Sequence, residues 1–175
     1  MRPYISTLFI CLFFWSSSQV KANDFLAEKW FVTIKTCFEE AFEDSEIYVK
    51  NWCNLNSVRL YKKCFAEHIS SFAEGNLSPG NIIFLVKKEG GRDWIYRRQY
   101  EYLKPICSRT QNSTWSFHSF IEFNGHIFDL DYTSSPEVTT TETYFQEMFN
   151  FDEDKEIENY FIMKVSAKES LEFYS

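Results

Sequence analysis

Between residues 24 and 43, Phe25, Trp30, Ile34, Cys37, Phe38 and Phe42 fall on one face of a helical projection, and acidic residues fall on the other. Steps of three and four residues stack side chains along one side of a 3.6-residue helix, so this stretch predicts an amphipathic helix. A second helix is expected from about Asn51 to Phe72, with Leu55, Val58, Tyr61, Phe65 and Ile69 as its apolar stripe. The run Gly75-Asn76-Leu77-Ser78-Pro79-Gly80 ends it. The period then shortens from helix to strand. Ile82–Lys88 is a short apolar run of β-formers, Glu89–Arg92 reads as a turn, and Asp93–Leu103 alternates as a partner strand. Pro105–Ser113 is expected to be loop. From Trp115 to Tyr132 two β-rich runs flank Asn124-Gly125, the pair that best suits a two-residue type I′ hairpin. Ser134-Ser135-Pro136 breaks the second run, Thr139–Asn150 is a Thr-capped helix, and Ile157–Val165 closes as a strand.

Helices first and hairpin-connected strands after them predict an α+β fold, with N-terminal helices packed on an antiparallel sheet. Residues 1–22 do not belong to it. Arg2, an apolar run from Tyr4 to Trp15 and the ending Val20-Lys21-Ala22 have the three-part pattern of a signal peptide, and the run is too short to span a bilayer. The expectation is therefore export, either secreted or periplasmic, with residues 23–175 as one domain and no membrane span. Arg2 and Lys21 leave with that segment, so the remainder is more acidic than the −7 of the full chain. An acidic domain selects against nucleic acid and anionic membranes, both of which recruit basic patches. Aromatic residues make up 19% of the sequence, enough to build much of the core from rings.

The hairpin carries the first candidate chemistry. A two-residue turn at 124 and 125 places Phe123 opposite His126 and, counted back along both strands, His118 opposite Asp131. Directly opposed Cβ atoms lie about 4.5–5.5 Å apart on one face. A carboxylate there orients the imidazole and raises its basicity. Asp129, on the same face but opposite Phe120, is the second choice. A histidine held in this way is the base half of a nucleophilic site. Cys53 is the nucleophile of choice, because it lies near the start of the second helix, where unpaired N–H groups and the helix dipole favour a thiolate and can hold an oxyanion. Cys64 has neither advantage. It would also lie about 16 Å from Cys53 along a continuous helix, too far for a disulfide between them.

Trp52-Cys53 opening a helix, followed by the stretch from His118 through Asp131-Tyr132-Thr133, resembles the Cys, His, Asp order of the transglutaminase-like, papain-related superfamily. Trp115-Ser116-Phe117-His118, then Asp131, Pro136 and Thr143-Tyr144-Phe145, is most similar to its protein-glutaminase, or protein-glutamine deamidase, group. The likeness covers roughly Asn51 to Phe149. Two features depart from the pattern: Tyr132-Thr133 stands where a Pro-Thr pair is usual, and Asn54–Arg59 does not match the group's Ala- and His-containing helix. The resemblance implies a transglutaminase-like core that hydrolyses glutamine side-chain amides in a protein or peptide substrate through a thioester on Cys53. His118 would move the proton and Asp131 would orient it, with no metal or organic cofactor. Trp52 and Trp115 would line the acyl pocket.

A cysteine peptidase or a true transglutaminase uses the same three groups, so both remain alternatives. So does a non-enzymatic binding module stapled by two disulfides, since Cys37, Cys53, Cys64 and Cys107 in an exported chain are ordinarily paired. If Cys53 is catalytic, one more cysteine stays free, and Cys107 can pair with Cys37 or Cys64. His68 and Cys64 share a helix face, but two ligands make no metal site. A monomer is expected. The acidic run Asp152–Glu156 reads as a solvated loop.

Overall fold

The computed structural model describes residues 26–74, 77–88, 100–110, 114–150 and 160–166. The expected signal peptide, the 89–92 turn, most of the 93–103 strand and the 152–156 acidic run lie outside these residues. Helix α1 covers 26–42 and α2 covers Cys53–Cys64. A 3₁₀ turn at Ala66–His68 then leads to α3, Ile69–Glu74. The strands are β1 (Asn81–Lys88), β2 (Tyr100–Glu101), β3 (His118–Phe123), β4 (His126–Phe128) and β5 (Val138–Thr140). Helix α4 (Thr141–Phe149) and β6 (Tyr160–Ser166) complete the chain. The single helix expected over 51–72 is therefore two. Phe65 turns to φ −120°, leaving the helical region, and the chain re-enters a helix at Ile69.

Every strand pairing is antiparallel, in the order β2-β1-β3-β4-β5 with β6 also on β1. The α+β expectation agrees with this arrangement. Alternate residues of the sheet feed two cores. Ile82, Ile121, Phe123 and Phe128 pack with Ile34, Phe38 and Phe42 of α1 and Val58, Leu60 and Tyr61 of α2. Ile83, Leu85, Phe120 and Ile127 pack with Tyr144, Phe145 and Met148 of α4, with Trp115, and with Tyr132 from the loop after β4. A disulfide joins Cys37 of α1 to Cys64 at the end of α2, while Cys53 and Cys107 are free. The bridge from Cys107 left open by the sequence is not formed; the helix packing places Cys37 and Cys64 5.6 Å apart at Cα. Among the described residues, no helix is long and apolar enough to cross a membrane.

The hairpin register follows the turn. Phe123 pairs with His126, Glu122 with Ile127 and Ile121 with Phe128. Asn124 and Gly125 both sit at positive φ, 51° and 75°, as a type I′ turn requires. Beyond Phe128 the pairing stops. The chain turns through Leu130 and Asp131, and the carbonyl of Asp129 accepts from the Tyr132 N–H.

Candidate active site

The nucleophile candidate is the first residue of α2. Asn51 takes a left-handed φ of 66°, which swings the chain into the helix, and Trp52 caps it with no side-chain hydrogen bond of its own. No acidic residue occupies the first turn, so the positive end of the helix lies at Cys53 without a competing carboxylate. The next turn of α2 is polar and buried. Asn56 bonds both the N–H and the carbonyl of Val49, each at 2.9 Å, and so fixes the preceding loop against the helix. The Ser57 hydroxyl lies 2.8 Å from each of the Cys53 carbonyl, the Ser119 carbonyl and the Ser119 hydroxyl. This cluster rivets the start of α2 to β3, one residue from His118.

Cys53 is 8% exposed, and its thiol points to the Phe117 carbonyl at 3.9 Å. The thiol also interacts with the ring of His118, the fully buried first residue of β3. Nε2 of that ring lies 2.8 Å from Oδ2 of Asp129. The same oxygen accepts a 2.6 Å bond from the Tyr144 hydroxyl, and Oδ1 accepts the Asp131 N–H at 2.9 Å. An ionised carboxylate can only accept, so the neutral ring carries its proton on Nε2 and leaves Nδ1 bare. Nδ1 is the one buried side-chain polar atom among the described residues with no hydrogen-bond partner. It is the ring nitrogen that Asp129 leaves open.

Burial of the ring works against a positive charge. The charge and hydrogen bond of Asp129, reinforced by Cys53, outweigh it and hold His118 well above the ordinary histidine range. Trp115 stacks on this ring with centroids 4.2 Å apart and planes 15° from parallel, an arrangement that shields the imidazolium and stabilises it through the indole face. Desolvation and the neighbouring Asp129 charge raise the pKa of Asp131, against the lowering effects of His118, Tyr48 and Asn56. Burial and contact with Asp129 push Tyr144 well above the usual tyrosine value.

Cys53, His118 and Trp115 thus come together, and Trp52, next to Cys53 in sequence, is 57% exposed. Asp131 does not hold the histidine. The cross-strand count to residue 131 assumed that β4 persists, but β4 ends at Phe128, and in the turn that follows Asp131 is carried to Tyr48 while Asp129 stays beneath the imidazole. Tyr144, Asn56 and Ser57 were not foreseen. The last two had a sequence signal: with Cys53, Leu60, Tyr61 and Cys64 they form the buried stripe of α2, where polar residues at apolar positions mark a hydrogen-bonded contact. Among the described residues, no group of three or more His, Cys, Asp or Glu side chains could hold a metal. No protein-family model matches the sequence, and no curated protein matches it either.

Proposed function

We propose that the chain is an exported thiol amide hydrolase of transglutaminase-like type, acting on glutamine side chains through Cys53, His118 and Asp129. The observation that carries the reading is the meeting of thiol, imidazole and carboxylate, with Nε2 taken by Asp129 and Nδ1 the one buried side-chain N or O atom among the described residues without a partner. Nδ1 takes the thiol proton, giving a thiolate beside a buried imidazolium that Asp129 neutralises. The thiolate adds to the amide carbon, and the oxyanion meets the N–H groups that open α2. Collapse breaks the C–N bond, and His118 returns its proton to the departing ammonia, leaving a thioester. Water, deprotonated by the now neutral His118, then cleaves the thioester to glutamate and restores the thiol.

The near-complete burial of thiol and imidazole favours a slender, unbranched side-chain amide over a peptide bond, which would bring two flanking residues into the same space. The exposed Trp52 beside Cys53 is an apolar surface for the substrate's stem, and Trp115 stacks on the His118 ring. The free state of Cys53, with Cys37 and Cys64 already paired, meets the main requirement of thiol chemistry in an oxidising compartment. The test is ammonia release from a glutamine-rich protein by the wild type and Cys53→Ala. Release by the wild type alone is expected, and equal release by both overturns the reading. Parallel assays with an added primary amine and with peptide-bond reporters separate hydrolysis from transamidation and peptidase activity.

A further inference from the structure

Asp131 is 3% exposed and has no part in the proton path above, yet it joins the loop before α2, the loop holding Arg109 and the turn that carries Asp129. Its Oδ1 accepts a 2.9 Å bond from the Tyr48 hydroxyl, which also lies 3.3 Å from the Thr110 hydroxyl. Asn56, the residue that grips Val49 in the loop leading to Cys53, lies near enough to its carboxyl to favour the ionised form. Its N–H donates to Asp129, and its carbonyl accepts from the Arg109 N–H at 2.9 Å. The Tyr48 ring is itself held. The Arg109 guanidinium sits 4.0 Å from the Phe42 ring and 4.1 Å from the Tyr48 ring, and it donates to the Phe42 carbonyl at 2.8 Å.

Separate stretches of chain therefore converge on Asp131, the stretch holding Tyr48 and Asn56 at its carboxyl group and Arg109 and Asp129 at its backbone. Tyr48 and Asn56 bracket the nucleophile, Arg109 belongs to the loop before β3, and Asp129 holds the base. A buried carboxyl group beside a second carboxylate is costly, and the structure surrounds it with donors from the segment that most needs fixing. We propose that Asp131 is a positioning residue, a buried latch that fastens the Cys53 segment to the His118–Asp129 segment and keeps the sulfur aligned with Nδ1. The proposal rests on the thiolate–imidazolium reading of the site.

The experiment measures the rate of Cys53 alkylation by iodoacetamide in the full chain from about pH 5 to 9, in a Cys107→Ser background so that only one thiol reports. Fast alkylation of the parent below the ordinary thiol range supports the site reading; its absence sinks that reading whatever the variants do. Tyr48→Phe and Asp131→Ala are expected to slow alkylation at neutral pH about tenfold and to move the profile toward that of an ordinary thiol. Asp131→Asn keeps an acceptor for Tyr48 and is expected to stay within about threefold of the parent. Profiles of Tyr48→Phe and Asp131→Ala that match the parent overturn the latch. So does an Asp131→Asn variant as slow as Asp131→Ala, because charge rather than position would then be the contribution. If Asp131→Ala does not melt cooperatively, Tyr48→Phe, which loses one half-buried hydroxyl, carries the test alone.

Discussion

Replacing Tyr144 with Phe removes one hydroxyl from a site that is otherwise left standing. The ring keeps its packing against Phe120, at 4.8 Å between centroids, and against Tyr132 at 5.1 Å. What is lost is the 2.6 Å bond to Oδ2 of Asp129, the oxygen that also holds His118. A hydrogen bond to a charged group contributes about 1.5–3 kcal/mol, and Tyr144 is fully buried, so no solvent screening reduces it. For a chain of this size that corresponds to a fall in Tm of about 3–12 °C. With one donor gone, Asp129 draws more strongly on the His118 proton, so the already raised histidine pKa rises further. The sign of the pH effect follows. Stability from a raised histidine is fully present below its unfolded value of about 6.5 and is lost as pH climbs through the folded value. Tyr144→Phe raises that folded value, so the variant has more stability to lose there: its deficit widens as pH climbs through the folded value, and the alkaline limb of thiol reactivity shifts upward. Urea unfolding at neutral and alkaline pH, alongside an alkylation profile, reads both effects. A deficit below about 0.5 kcal/mol with an unmoved profile would refute the assignment of Asp129 as the charged partner of His118.

Three further outcomes are expected. Asp129→Asn leaves burial as the dominant influence on His118, so the imidazolium is lost at neutral pH and amide hydrolysis falls by about 10⁴-fold, the scale known for such a change in a serine protease triad; a loss under tenfold in steady-state assays would count against the triad. Breaking the Cys37–Cys64 bridge as a double Ala variant costs roughly 3.5 kcal/mol by the chain-entropy relation for a separation of 27 residues, read from urea midpoints, and no loss would mean that the helices are held by packing alone. Asp131 titrates above its unfolded value, so stability is lost as pH rises from that value through the folded one; the stability of Asp131→Asn relative to wild type should therefore grow as pH climbs from about 4, and a difference independent of pH contradicts that sign.

The parts of this molecule that were legible in the sequence are those governed by local rules. Asn124-Gly125 dictates a type I′ turn, and the turn dictates the pairing of Phe123 with His126, so the hairpin could be counted out residue by residue. Thr140 caps α4 through the Thr143 N–H as its residue type demands. Cys53 near a helix start was likewise readable, whereas the strand expected from Trp115 begins only at His118. Where the expectation failed, a tertiary fact intervened. Alternation cannot say where a strand stops, and the end of β4 at Phe128 exchanges Asp131 for Asp129 beneath the histidine. The break at Phe65 interrupts a continuous apolar period, because the ring packs against Phe123 and Phe128 of the sheet. Tyr144 sits among the apolar residues of α4, and nothing in its spacing distinguishes a core ring from a hydroxyl aimed at a carboxylate. The Cys37–Cys64 bond depends on how α1 lies on α2, which no count of residues supplies.

His118 and Asp129 lie eleven positions apart in sequence on the two arms of one tight hairpin, whereas the thiol joins them from 65 residues upstream of the histidine. Short loops close at little entropic cost and long ones at more, so the acid–base half of the site can form with the hairpin before α2 docks. Docking is completed by Ser57 on Ser119, a contact that exists only once helix and sheet have met. On the proposed reading, the sulfur has no imidazole to activate it during folding until its own burial is under way, which would confine the reactive state to the finished protein.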